Sequence, residues 1–251
     1  MRKGRTVAVV QARMQSTRLP GKVLKEILRQ PLIGYLIQRL ERSQWIDQLV
    51  IATSTEPADD VIAQYCQHHG IAFFRGSEVN VLERYFNSAK AYNADFVVRV
   101  CADSPLIDPA LVDELLEEFL QAQPECDYLS NTINQSCPLG MNAEVFTFQA
   151  LEQANAKASH PYDREHVTPY LYRHPELFSI REKHYSPDLG SVRLTVDTPE
   201  DFELVRLILE GLQLAKREFG LPDIMEFLHE HPDLMKINAH IQQKPSVAQH
   251  D

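Results

Sequence analysis

Long apolar runs are missing from this 251-residue sequence. No stretch approaches the roughly 20 apolar residues that a membrane-spanning helix needs. The run nearest the N-terminus, Val7 to Val10, is four residues, too short for the apolar centre of a secretory signal. A soluble, cytoplasmic protein with no membrane partner is the expectation. Cysteine is scarce: Cys66, Cys101, Cys126 and Cys137 contain no CxxC pair, which excludes a disulfide framework and a zinc knuckle. Basic charge is in deficit, with 25 Lys and Arg against 35 Asp and Glu and a net charge of -10. That argues against non-specific nucleic-acid binding. Neither GxxxxGK[ST] nor GxGxxG occurs, so the two commonest phosphate loops are excluded. No internal repeat or low-complexity tract is present.

What remains is a chain 44% apolar and long enough to bury about 70% of its surface in one core. We read residues 1–251 as a single domain. Short apolar runs at Val7–Val10, Leu49–Thr53, Ile71–Phe74 and Phe96–Cys101 read as buried strands. Between them, Leu32, Tyr35, Leu36 and Leu40, and then Val61, Ile62 and Tyr65, recur near the helical period. Alternating strands and helices predict an α/β layered domain with a mainly parallel sheet and a ligand site at the strand C-termini. Two helix starts stand out: Asp108–Pro109, and Thr198–Pro199 with Asp201 as the acidic member of a capping box. Residues 127–196 read as more irregular strands plus a helix near Arg164–Tyr172, an acceptor-side insertion or lid. Residues 232–251 read as a loose C-terminal tail, with one short strand at most.

The positive charge is concentrated. Residues 1–30 hold eight basic side chains and one acidic one. The segment Gln11–Lys22, QARMQSTRLPGK, follows the first strand and offers Arg13, Ser16, Thr17, Arg18 and Lys22. Arginine forks and a lysine point charge suit phosphate, although a solvated basic surface loop has the same composition. Asp103 follows the Phe96–Cys101 strand, and Asp197 follows an expected strand at 193–196. Two carboxylates converging there suit Mg²⁺, a hard ion that takes one or two protein carboxylates and completes its shell with phosphate and water. Each aspartate also has a plain reading, as a turn or helix cap. The positive charge is confined to one loop with no aromatic interleaving, which disfavours nucleic acid.

The run QARMQSTRLPGKVL resembles the opening signature of the CMP-sugar synthetase-like nucleotidyltransferases. More narrowly it is similar to the spore-coat polysaccharide biosynthesis protein F group, related to the CMP-KDO and acylneuraminate cytidylyltransferases. IATS at 51–54, GSEVNVLERY at 76–85, VRVCADSPLIDP at 98–109, GMNAEVF at 140–146, REHVTPYLY at 164–172 and RLTVDTPEDFELV at 193–205 extend the likeness. The resemblance implies a three-layer α/β/α Rossmann-like nucleotide-diphospho-sugar transferase fold with a mainly parallel mixed sheet. It implies Mg²⁺-dependent coupling of a nucleoside triphosphate, CTP, to an acidic sugar acceptor, giving a CMP-sugar and pyrophosphate for surface polysaccharide. By resemblance Asp103 and Asp197 are the magnesium ligands, and Arg13, Ser16, Arg18 and Lys22 hold the triphosphate. Lys22 is then the charge at the reacting phosphate. Ser54, Ser77 and Arg99 are further candidates near base or ribose, although Arg99 on a central strand could equally face a helix layer. Glu144, Arg164, Glu165 and His166 would form the acceptor side, with His166 either a base or a structural histidine. Similar enzymes imply a homodimer. Ala102, Asn80 and Asn142 depart from the family pattern, where glycine, aspartate and aspartate are usual. Two other readings remain open on the sequence: a glycosyltransferase using a nucleotide-sugar donor, and a catalytically degenerate nucleotide-binding protein.

Overall fold

Alternation along the first strand determines where the core forms. The computed structural model of the protein describes residues 4–215 and 218–243. In β1 (Thr6–Gln11), Ala8 and Val10 face one apolar cluster while Val7 and Val9 face another, and all four are fully buried. A strand apolar on both faces belongs in the middle of a covered sheet. Down the chain follow β2 (Glu26–Ile27), β3 (Gln30–Pro31), β4 (Gln48–Ser54), β5 (Phe73–Gly76), β6 (Phe96–Cys101), β7 (Tyr128–Ser130), β8 (Glu144–Thr147) and β9 (Ile180–Glu182). The helices are α1 (Leu32–Leu40), α2 (Asp60–His68), α3 (Val81–Ala91), α4 (Pro109–Gln121), α5 (Phe148–Lys157), α6 (Pro161–His166), α7 (Pro169–Tyr172), α8 (Pro199–Ala215) and α9 (Leu221–Glu230).

Seven strands form one sheet in the order β5-β4-β1-β6-β8-β7-β9, and β2 and β3 form a separate hairpin. β5, β4, β1 and β6 are parallel neighbours, whereas β8 runs antiparallel to β6 and to β7. Helices α1, α2 and α4 pack on one face through residues such as Leu36, Ile62 and Leu116, and α3 and α5 on the other through Tyr85 and Leu151. The result is a three-layer α/β/α fold with a mixed, mostly parallel sheet. A third cluster joins α8 and α9 to the hairpin and to residues 192–196. No helix among the described residues is long and apolar enough to cross a membrane.

Several sequence expectations are corrected. The third strand begins at Phe73 rather than Ile71, because Gly70 at φ 68 ends the preceding helix and Ile71 N donates back to Cys66 O. The expected helix over Arg164–Tyr172 is two short helices, α6 and α7. Val167 sits at φ 75 between them, and Pro169 supplies no backbone donor to continue the first. Residues 193–196 are extended but make only the single bridge Leu139↔Arg193 instead of a strand. They are held from both sides: Leu194 N donates to Leu139 O, and Val196 N to Asp103 O. Gly140, at φ 99, permits this, since a Cβ there would lie 2.7 Å from the Leu194–Thr195 peptide. Within 127–196, β7, β8 and β9 extend the main sheet. Residues 232–243 touch the core at a few points. They carry a 3-10 turn (Pro232–Lys236) instead of a strand, Leu234 and Ile237 rest on the third cluster, and Asn238 is buried. The rest of that predicted tail, 244–251, lies outside the described residues, as do the basic residues Arg2 and Lys3.

Candidate active site

The C-terminal ends of β1 and β6 lie side by side, with Gln11 paired to Cys101. The chain leaving β1 turns at once and is tied down. Met14 N donates to Asp59 Oδ1 at 2.7 Å. Met14 O in turn accepts from Ser16 N and from Gly21 N, closing the basic loop on itself. Gly21 at φ 70 adopts the left-handed backbone that glycine takes without steric cost. This turn delivers Lys22 to the interior, where it opens a short 3-10 helix.

Lys22 Nζ donates to Asp103 Oδ2 at 2.9 Å, to Asp197 Oδ1 at 2.8 Å and to the Val196 carbonyl at 2.7 Å. An ammonium has three hydrogens, and all three are used. Arg18 Nη2 lies 2.9 Å from Asp197 Oδ2. Burial alone would lower the Lys22 pKa, but Asp103 and Asp197 outweigh it and raise it. Burial likewise pushes Asp197 up, yet Lys22, Arg18 and Arg193 hold it below the usual carboxylate range. The site is therefore a charged cluster at neutral pH.

The convergence of both carboxylates on one ammonium shows that they can share a cation, and carboxylate oxygens are the donors magnesium prefers. Among the described residues no group of three or more His, Cys, Asp or Glu could hold a metal. The protein's contribution here is two carboxylates, within magnesium's ordinary need. A cavity of about 220 Å³ opens on this point, lined by Arg13, Ser16, Arg18, Lys22, Asp103 and Asp197 among others. A larger hollow of about 790 Å³ lies between α1 and α2, away from these charged groups.

Next to the first cavity is a smaller one, about 110 Å³, bounded by Gln11, Arg13, Arg84, Glu165 and His166. Burial, together with Arg99 and Arg13, lowers the His166 pKa despite the opposing charge of Glu165, so the ring is neutral at neutral pH. Arg164 faces a different hollow and donates to Asn155 at 3.0 Å.

The other predicted site residues are engaged inside the protein. Ser54 is buried, donates to Asp59 and accepts from Glu56 N. Ser77 accepts from Asn80 N at 3.0 Å. Arg99 and Glu144 stand directly opposite each other across β6 and β8 and form an ion pair. The second Glu144 oxygen accepts from Tyr128 Oη at 2.6 Å. Two of the three departures from the family pattern, Asn80 and Asn142, have local explanations. Asn80 caps α3 by accepting from Glu83 N and also donates to the Glu83 side chain. Asn142 accepts from Gly140 N and donates to Gln135. Both use amide donors that an ionised aspartate lacks.

Sequence reasoning missed Asp59, the anchor of the loop, and Arg193, which donates to Asp197 Oδ2 at 2.9 Å. It assigned Asp201 only a capping role. Arg193 sat in the quoted RLTVDTPEDFELV block, four residues before Asp197, and that spacing was the available signal.

A family model described as cytidylyltransferase matches residues 7–218. The spore coat polysaccharide biosynthesis protein SpsF of Bacillus subtilis is 32% identical, covering 90% of this chain and 94% of that one. An uncharacterized protein of Methanocaldococcus jannaschii is 36% identical over 95% of this chain and 96% of its own. Among solved structures, a cytidylyltransferase from Leptospira borgpetersenii superposes with a TM-score of 0.88 at 32% identity, covering 96% of this chain and 99% of that one.

Proposed function

The chain belongs to the cytidylyltransferase family, and from that premise we propose that it transfers CMP from CTP to the hydroxyl of an acidic sugar with the help of Mg²⁺. In that reaction the acceptor oxygen bonds to the α-phosphorus, the bond to the β-phosphate oxygen breaks, and pyrophosphate leaves with the electron pair. The hydroxyl proton passes to a base. The product is a CMP-sugar for surface polysaccharide.

The observation that carries this reading is the meeting of Lys22, Asp103 and Asp197 at 2.8–2.9 Å beside a loop of Arg13, Ser16 and Arg18. A triphosphate carries its negative charge along its length, and the loop sets guanidinium and hydroxyl donors around it. Arg13 and Arg18 grip nonbridging oxygens through their forks. Lys22 offers charge where negative charge builds at the reacting phosphate. Asp103 and Asp197 would hold Mg²⁺, which when bound supplies Lewis-acid stabilisation of the phosphate charge. The acceptor enters from the side of Glu165 and His166. A neutral His166 has a ring nitrogen free of a proton, suited to receive the hydroxyl proton. Transfer from a finished nucleotide sugar would need no such triphosphate grip.

The test is a pyrophosphate-release screen crossing the four ribonucleoside triphosphates with acidic and neutral sugars, with and without Mg²⁺. Release that requires CTP, an acidic sugar and Mg²⁺ together is the expected result. A triphosphate that binds without release under any combination would overturn it.

A further inference from the structure

Asp197 is one end of a chain of contacts that leads from the cavity to the last described segment of the protein. Its Oδ1 faces Lys22, and its Oδ2 is shared by Arg193 Nη2 and, from the basic loop, Arg18 Nη2, each at 2.9 Å. The Arg193 guanidinium grips Asp201 with two donors, Nε to Oδ1 at 2.8 Å and Nη2 to Oδ2 at 2.9 Å. Asp201 is fully buried. Its Oδ2 also accepts from the backbone N of Asp197 and of Thr198. Asn238 Nδ2 completes the set, 2.9 Å from Asp201 Oδ1 and 3.1 Å from the Arg193 carbonyl. Gln243 Oε1 accepts from Arg193 Nη1 at 2.5 Å.

This is more than a helix cap requires. Thr198 and Asp201 already form a reciprocal capping box at the start of α8. The arginine and the asparagine add nothing to that box: Asn238 steadies Asp201 and the Arg193 backbone, and the guanidinium gripped by Asp201 reaches on to Asp197. With Oδ2 held by the two arginines, Oδ1 is aimed at the Lys22 ammonium that it shares with Asp103.

We propose that Arg193, Asp201 and Asn238 are positioning residues for Asp197, and that the segment after α9 thereby sets the aim of a cation-holding carboxylate. This rests on the reading that Asp103 and Asp197 hold the divalent ion. Partners of metal-ligating carboxylates typically change metal affinity 10–100-fold when removed.

The test uses the full chain carrying Asn238→Ala, with the milder Asn238→Ser and with Arg193→Lys. Mn²⁺ uptake in the presence of CTP is read by the electron paramagnetic resonance of the free ion, and thermal unfolding is followed in parallel. Mn²⁺ affinity about tenfold weaker in the variants is expected, along with a raised Mg²⁺ requirement that added Mg²⁺ offsets. A purely structural role would lower the unfolding temperature without moving the Mn²⁺ affinity. Wild-type Mn²⁺ affinity in a folded Asn238→Ala or Asn238→Ser protein would overturn the proposal alone. If wild-type protein with CTP takes up no Mn²⁺, the cation reading falls first and this inference with it.

Discussion

Lys22 spends all three of its hydrogens inside the protein, on Asp103, Asp197 and Val196. The two aspartates are thus never two bare like charges at close range, and replacing either leaves an imbalance. Asp103→Asn and Asp197→Asn should each cut pyrophosphate release by about 10²-fold or more, the scale seen when one electrostatic stabiliser is lost. Initial rates at saturating CTP and Mg²⁺ check this, and a near-normal rate in either variant removes that residue from the site. Glu144→Gln makes a different prediction. It strips the half-buried Arg99 of its counter-charge, and losing one member of a buried pair costs up to about 3–5 kcal/mol, measurable as a shifted urea midpoint. Asp103 and Asp197 were legible in the sequence because each stands at a junction, after a strand or before a helix cap. The pairing of Arg99 with Glu144 was not. It depends on β8 returning antiparallel to β6 in one register, and residue spacing along the chain carries no trace of that.

The elements around the site are held by short local devices, and these were the most readable part of the sequence. Asp108 does cap α4 through Ala110 N, and its other oxygen accepts from Leu221 N at the start of α9. Thr198 and Asp201 do form the box expected of them. Thr198→Ala should therefore cost about 1 kcal/mol of stability, seen as a small fall in unfolding temperature. Gly140→Ala should cost more, about 1–3 kcal/mol. Its backbone is left-handed, and the new methyl would press on the peptide between Leu194 and Thr195. The same measurement compares the two. Less legible were the segments without regular pattern. Residues 193–196 look like a strand because they alternate, but they run between a turn and the Asp103 carbonyl instead of along a sheet edge. Residues 232–243 look polar along their length, and the contact of Asn238 with Asp201 depends on a fold that residue spacing does not reveal.

For the whole molecule, the titrating groups of the site fix where stability is lost. Asp197 and Asp201 have folded pKa values below their ordinary ones. Their contribution is full above the unfolded carboxylate range near pH 4 and disappears as the pH falls through the folded values. Lys22 is raised by its two carboxylates, and burial pushes Tyr35 up to about 12, with Glu210 adding to it. Those contributions are full below about pH 10 and are lost as the pH climbs through the folded values. Urea midpoints measured from pH 3 to pH 11 should trace a plateau falling at both ends. Asp197→Asn should shrink the acid-side fall, and an unchanged acid limb would contradict this assignment.

The spacing of one contact has a consequence for how the protein is made. Lys22 and Asp197 are separated by 175 positions. At ribosomal speeds of roughly 5–20 residues per second, the lysine leaves the ribosome about 10–35 seconds before its partner exists. Until then an interior place for its ammonium has one carboxylate of the pair, Asp103, 81 positions on. The charge balance around the basic loop is therefore completed only when the chain's last third has been made.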